Sequence, residues 1–100
     1  MVAAVATVSG PAERIAAITE HSGDVGSWLR QYEGYRGVFV LADPEGQVSR
    51  VMTLWDSADD ELAARESRAA MRDQLMALAG LEVVAFDVYD VPGHEYIAPG

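Results

Sequence analysis

Apolar and polar positions follow two different spacings along the chain, and the changes between them predict its first elements. Val2 to Val8 is a short apolar, β-branched run, which favours a strand. Ser9-Gly10-Pro11 ends this run, and proline is favoured at the first position of a helix. The apolar residues that follow have the three-four spacing of one helical face. They are Ile15, Ile18, Val25 and Leu29.

This helical region is expected to contain one break and to end at Gly34. Gly23 can close a first helix, because glycine readily adopts the left-handed conformation that terminates helices. Asp24 can then cap a short second helix that runs through Trp28 to about Tyr32. The first half of the chain is therefore a strand followed by two short helices.

The second half begins with a predicted hairpin. The apolar runs 38–42 and 48–55 flank Asp43-Pro44-Glu45-Gly46, which suits a type I turn in a four-residue loop. Cap candidates and acidic residues at 56–61 then predict a helix over about 58–79, ended by Gly80. The run 81–91, rich in Val, Phe and Tyr, predicts a last strand before a tail that begins at Pro92-Gly93.

The order strand, helix, strand, strand, helix, strand predicts an α+β protein with the ferredoxin-like βαββαβ plan. Its four-stranded antiparallel sheet would carry its helices on one face. At 100 residues the chain, 1–100, makes a single domain. Both faces of the strands are largely apolar, yet helices can cover only one of them. We therefore expect a homodimer in which the second sheet face packs on an identical subunit, forming a closed or nearly closed barrel.

Composition excludes several kinds of chemistry. The chain has 16 acidic residues against 7 arginines, a net charge of −9, with no Lys, Asn or Cys. Thiolate and Schiff-base catalysis are excluded, and nucleic acid and anionic membranes are unfavourable partners. The N-terminus lacks the basic start of a signal peptide, and no apolar stretch reaches the roughly 18 residues that span a bilayer. We expect a cytoplasmic protein.

Two short segments carry a family resemblance. Gly34-Tyr-Arg-Gly-Val-Phe-Val-Leu-Ala-Asp43, and then Thr53-Leu-Trp-Asp-Ser57 before an Ala-rich helix, resemble the antibiotic biosynthesis monooxygenase family of dimeric α+β barrels. The family includes cofactor-independent oxygenases of quinols and polycyclic phenols, haem-degrading enzymes, and small domains with no known reaction. The resemblance therefore implies the fold and the dimer more specifically than any single activity.

Trp55 matches the family tryptophan at the end of the third strand, which in the oxygenases points into the cavity between sheet and helices. It could form a flat wall for an aromatic substrate, although anchoring of the core is the commoner role of such a residue. Some members have an asparagine four residues earlier, where this chain has Val51, and an aromatic residue six later, where it has Glu61. Haem-degrading members have an axial histidine on the next helix, and 62–78 has none.

Polar side chains on the strands are further candidates. Arg50 and Asp87, with Tyr89, could hold an acidic or phenolic ligand by charge-assisted hydrogen bonds, although we favour strand-end positions that reach water. Strand alternation places Arg50 and Trp55 on opposite faces of the sheet unless a bulge intervenes. Three more strand residues could line a ligand cavity: Phe39, Val51 and Thr53.

The two histidines are the simplest general bases near neutral pH. His21 lies near the end of the first helix, where a cation favoured by the helix dipole is the commoner role. His94 lies in the tail, which could either cross to a partner subunit or fray. Their separation predicts no metal site.

Glu61, Arg65, Arg68 and Arg72 recur at three and four residues on the long helix. We interpret them as a solvated face with a Glu61–Arg65 pair, in preference to an anion or partner site.

Together these features lead to a hypothesis of a cofactor-independent monooxygenase that acts on a small aromatic quinol or polyketide-like phenol. Trp55 would be the wall of the site, and Tyr89 or His21 the proton partner. The alternative is a non-catalytic small-molecule-binding or dimerisation module of the same fold, which Val51 in place of asparagine favours.

Overall fold

A computed structural model describes residues 1–20, 22–43, 47–93 and 95, and shows a four-stranded antiparallel sheet with helices. The fold is α+β and ferredoxin-like, as the element order predicts. The elements, in chain order, are β1 (Val2–Ser9), α1 (Ala12–Glu20), α2 (Ser22–Leu29), β2 (Tyr35–Ala42), β3 (Val48–Trp55), α3 (Ala58–Ala79) and β4 (Glu82–Asp90).

The strands lie in the order β2-β3-β1-β4, so the first strand of the chain is central. Val2 pairs with Trp55 of β3 on one side and with Asp90 of β4 on the other. Register shifts occur in the β1–β4 pairing between Thr7 and Val8, and in the β2–β3 pairing between Tyr35 and Gly37. The β1–β3 pairing runs without a shift from Val2–Trp55 to Ser9–Val48.

α3 is bounded by the residues that the sequence suggests. The Ser57 hydroxyl accepts a hydrogen bond from the Asp60 backbone N–H at 3.1 Å, which satisfies one of the free donors of the first turn. Gly80 ends the helix in the left-handed conformation, with φ of 71°. Within the described part of the chain, no helix is both long enough and apolar enough to cross a membrane.

Two boundaries differ from the sequence prediction. β2 begins at Tyr35 rather than Val38, because Gly34, with φ of 81°, turns the chain straight into the sheet and accepts a hydrogen bond from Asp56 N at 2.8 Å. The predicted helix end at Gly23 is wrong, because Gly23 lies inside α2, where glycine is tolerated at modest cost. The predicted turn at Pro44-Glu45-Gly46 lies outside the described residues, although Asp43 N donates to Val48 O beside it.

The core lies between the sheet and the helices. Alternation along β3 buries Ser49, Thr53 and Trp55 on the helix side and leaves Arg50 exposed on the other face. The buried residues form two clusters: one contains Val2, Ala4, Trp55 and Ala64, and the other contains Val8, Ile15 and Leu81. On the face away from the helices, Phe39, Leu41 and Tyr89 are exposed.

Candidate functional site

Trp55, the last residue of β3, forms the centre of the site. It is completely buried on the helix side of the sheet. Its indole N–H donates to the Thr53 hydroxyl at 2.9 Å, and that hydroxyl lies 3.5 Å from the Ala4 carbonyl oxygen, to which it donates. Because the only polar atom of the indole is engaged within β3, Trp55 has no hydrogen-bond donor left for a ligand, and its part in the site is the packing of its ring.

Aromatic side chains from three other parts of the chain gather around Trp55. The Tyr35 ring meets it edge to face, with 5.6 Å between ring centroids, and Tyr32 and Phe86 pack against the same core cluster. Desolvation by burial raises the pKa of Tyr35 from its ordinary value, against an opposing effect of Arg30. The Tyr35 hydroxyl is therefore neutral near pH 7 and can act as a hydrogen-bond donor.

The charged stripe of α3 faces this aromatic cluster, so its interpretation as a solvated face is wrong. Glu61 is only 1% exposed and Arg68 only 8%. The guanidinium of Arg65 lies 4.7 Å from the Phe86 ring centroid, and that of Arg68 lies 5.5 Å from the Trp55 ring centroid. Ala64 anchors this face of α3 in the core, and the long arginine stems can lie along apolar surface while their heads rest on aromatic rings.

Hydrogen bonding within the stripe is incomplete. Arg65 Nε lies 3.1 Å from Glu61 Oε1, close enough for the expected ion pair, but its N–H does not point along a hydrogen bond. Glu61 Oε1, Arg65 Nε and Arg68 Nη1 are all buried without a hydrogen-bond partner among the described residues. Arg68 thus retains an unused donor beside the Trp55 ring.

Burial also changes the electrostatics of Arg68. Desolvation lowers the pKa of its guanidinium, while the nearby Glu61 carboxylate acts in the opposite direction. The like charges of Arg72 and Arg65 lower it further. The group still carries its charge near neutral pH, because an arginine begins far above that range.

Four predicted site residues lie on the opposite face of the sheet from Trp55. Register places Phe39 beside Met52, and Arg50 opposite Thr7, on the face without helices. Asp87 and Tyr89 follow the same alternation, paired with Val5 and Ala3. Within one chain the sheet lies between Tyr89 and Trp55. The hypothesis that Tyr89 acts on a ligand bound against Trp55 of the same chain is therefore wrong. Arg50 and Asp87 are exposed to water, which agrees with the interpretation preferred from the sequence over a ligand site.

The remaining predicted residues divide between the helix side and the undescribed positions. Val51 is half-buried and pairs with Ala6 and Val40 on the side of Thr53 and Trp55. The predictions for His21 and His94 fall outside the described residues. Among the residues that are described, no group of three or more His, Cys, Asp or Glu side chains could hold a metal ion.

A separate open concavity of about 760 Å³ lies beside the Arg36–Asp56 ion pair, near the start of β2 and the end of β3. Phe39 lines it, so this residue belongs to a different surface from the Trp55 site. Its lining comprises Met1, Arg36, Gly37, Val38, Phe39, Leu54 and Asp56.

Sequence reasoning missed Glu61, Arg65 and Arg68 as residues of the site. A signal was nevertheless present, because the family resemblance aligns Glu61 with an aromatic position. A residue at an aromatic position faces inward more often than outward, and Arg65 and Arg68 share its helical face.

Solved structures with the same architecture span nearly the whole chain. A candidate antibiotic biosynthesis monooxygenase from Deinococcus radiodurans matches 99% of this chain and 100% of its own, with a TM-score of 0.75 and 16% identity. A second from Bordetella bronchiseptica matches 90% and 95%, with a TM-score of 0.72 and 14% identity. SnoaB, a cofactor-independent oxygenase from Streptomyces nogalater, matches 93% and 94%, with a TM-score of 0.67 and 11% identity.

No protein-family model matches the sequence, and no match is found among curated proteins. At these identities, the structural likeness concerns the path of the backbone rather than the chemistry of the site. The chain therefore has the fold of the antibiotic biosynthesis monooxygenase-like proteins.

Proposed function

We propose that this protein is a cofactor-independent monooxygenase that acts on a small aromatic quinol or polyketide-like phenol between the sheet and α3. The observation that carries the proposal is the aromatic cluster around Trp55, to which Tyr32, Tyr35 and Phe86 contribute. The shared fold with SnoaB, a cofactor-independent oxygenase, supports it.

In such a reaction the substrate itself reduces dioxygen. For an anthrone-type substrate, a ring methylene loses two hydrogens and gains one oxygen atom as a carbonyl, while the second oxygen atom leaves as water. The protein contributes orientation and exclusion of water, and it accepts the substrate proton whose loss makes the ring electron-rich. His21 stays a predicted acceptor, and Glu61 is a buried carboxylate on the same side of the sheet as Trp55.

The second candidate is a non-catalytic small-molecule-binding or dimerisation module. Val51 favours it, because this half-buried position on the helix side carries no amide that could polarise a substrate oxygen. The same aromatic cluster would then bind a ligand without activating it.

We also propose that the protein is a homodimer in which two sheets pack through the faces without helices. The support is the exposed apolar surface of that face, where Phe39 and Leu41 stand beside half-buried Met52 and Leu54. A sheet face of this kind is stabilised when an identical surface covers it.

Dioxygen uptake by the purified, metal-free protein over a panel of anthrones and naphthoquinols tests the catalytic proposal. We expect uptake above the autoxidation blank, reduced about tenfold or more by Trp55→Phe, which removes part of the aromatic wall. Tyr89→Phe, on the other sheet face, is the matched control and should keep the wild-type rate. Aromatic binding without uptake across the panel would favour the binding module.

A further inference from the structure

We propose that the Trp55 site takes its ligand as a monoanion, an aromatic ring bearing one negatively charged oxygen, with that oxygen on the Arg68 guanidinium. The aromatic character of the ligand rests on the proposed function. The preference for an anion rests on the arginine alone.

The charge balance on the inner face of α3 supports a negative ligand. Glu61 carries one negative charge, and Arg65 and Arg68 carry two positive charges, so the inward-facing group has a net charge of +1 in a chain of net charge −9. A buried charge without a partner is costly unless a counter-ion accompanies it. One additional negative charge would neutralise the group, whereas two would exceed it.

Among the arginines of α3, Arg68 is the one without a salt-bridge partner in the described part of the chain, although the Glu61 carboxylate acts on it electrostatically. Arg65 is already paired with Glu61 and rests on the Phe86 ring. Arg68 is more than nine-tenths buried and its Nη1 has no hydrogen-bond partner among the described residues. A guanidinium donates to carboxylate and ionised hydroxyl oxygens in short, charge-assisted hydrogen bonds.

The position of Arg68 supports an aromatic carrier for this charge. Its guanidinium carbon lies 5.5 Å from the Trp55 ring centroid, so the free donor and the aromatic wall adjoin each other. A planar ligand that contacts the indole can therefore direct an attached oxygen to Arg68. The other groups that act electrostatically on Arg68 are Arg72, which is half-buried one turn along α3, and Tyr32 of the aromatic cluster.

Binding of 2-naphthoate and of its neutral methyl ester, measured by equilibrium dialysis in the absence of turnover, tests this inference. We expect wild-type protein to bind the acid anion at least about tenfold more tightly than the ester. Arg68→Gln should weaken binding of the acid anion about tenfold or more and weaken ester binding much less, so that the preference is lost. Arg72→Gln removes an equal charge one turn away and is the matched control that should keep the preference.

A second arm uses 2-naphthol, because a carboxylate and an ionised hydroxyl offer the same anionic oxygen. Absorbance of the naphtholate should show the pKa of the bound hydroxyl lowered by about one unit or more, corresponding to a tenfold preference for the anion. Arg68→Gln should remove this shift, and Arg68→Lys, which retains a positive charge, should keep part of it.

Equal affinities for naphthoate and ester in the wild type would overturn the inference, as would binding of neither. Equal losses of both ligands in Arg68→Gln would also overturn it, since they would indicate a structural role. Because these measurements need no turnover, failure of the oxygenase proposal would appear only as absent dioxygen uptake. Uptake without charge preference would overturn this inference alone.

Discussion

At the scale of single residues, Glu61 and Arg68 depart from the usual behaviour of charged side chains. Both lie on the inner face of α3, almost completely buried. Aromatic rings and opposite charge replace part of the hydration that each loses. Some buried polar atoms of these side chains have no hydrogen-bond partner among the described residues. Such atoms favour a ligand whose own polar groups can form the missing hydrogen bonds.

Tyr35 provides a pH-dependent prediction at this scale. Burial raises the pKa of its hydroxyl in the folded protein, so the folded state disfavours the tyrosinate. As pH rises past about 10, the unfolded chain ionises first, and the stability present at lower pH is lost through the folded-state pKa. Urea unfolding of wild type between pH 8 and pH 11 should show this loss.

Tyr35→Phe should flatten that decline, because it removes the group responsible. Tyr89→Phe, at a side chain that is 55% exposed, should keep the wild-type decline. A Tyr35→Phe protein that loses stability as steeply as wild type above pH 10 would contradict the assignment.

Residue types alone predicted part of the site. Trp55 and Thr53 lie on the helix side, as the resemblance and strand alternation imply. The inward orientation of Glu61, Arg65 and Arg68 was not predicted, because a charged stripe at helical spacing normally faces solvent. The packing of Ala64 in the Trp55 cluster shows which face of α3 turns inward.

At the scale of elements, local turn and cap chemistry decided which boundaries could be predicted. β3 and α3 agree with the sequence expectation, because Ser57 and Gly80 bound α3 and the end of β3 leads directly into its cap. The predicted helix end at Gly23 is wrong because glycine is compatible with either a helix end or a helix interior. The early start of β2 depended on pairing between Tyr35 and Trp55, a contact that no local signal encodes.

The cap of α3 gives a prediction about stability. Ser57→Ala removes the hydroxyl that accepts from Asp60 N, and should lower the free energy of unfolding by about 1 kcal/mol. Ser57→Asp should preserve most of the stability, because aspartate is an equally good cap. Urea unfolding would measure both.

Ser67→Ala is the control for that prediction. Ser67 is exposed in the interior of the same helix, where alanine is the better helix former, so this variant should be as stable as wild type or slightly more. Equal destabilisation by Ser57→Ala and Ser67→Ala would show that the hydroxyl of Ser57 does not act as a cap.

At the scale of the whole molecule, the sheet has one covered face and one open face. In the described part of the chain, both core clusters lie on the Trp55 side, while the opposite face presents Phe39, Leu41 and Tyr89 to solvent. A 100-residue domain has a thin core, so association through the open face would add buried apolar area to it.

Light scattering tests the proposed dimer. We expect a mass about twice the 10.8 kDa of the chain. Leu41→Glu should shift the mass to that of a single chain, because a carboxylate within the apolar interface would lose its hydration. Leu78→Glu, at the most exposed large apolar side chain of α3 (82%), is the control and should retain the dimer mass. A single-chain mass for wild type would refute the proposal.

The central place of β1 has a consequence for biosynthesis. β1 is translated before both of its neighbours in the sheet, β3 and β4, and Val2 pairs with Asp90 near the end of β4. The apolar residues of β1 therefore stay without their β4 partners until almost all of the described chain has been translated. Sheet closure is a late, long-range event, and a nascent chain arrested before β4 exposes an apolar strand edge suited to capture by a chaperone or to aggregation.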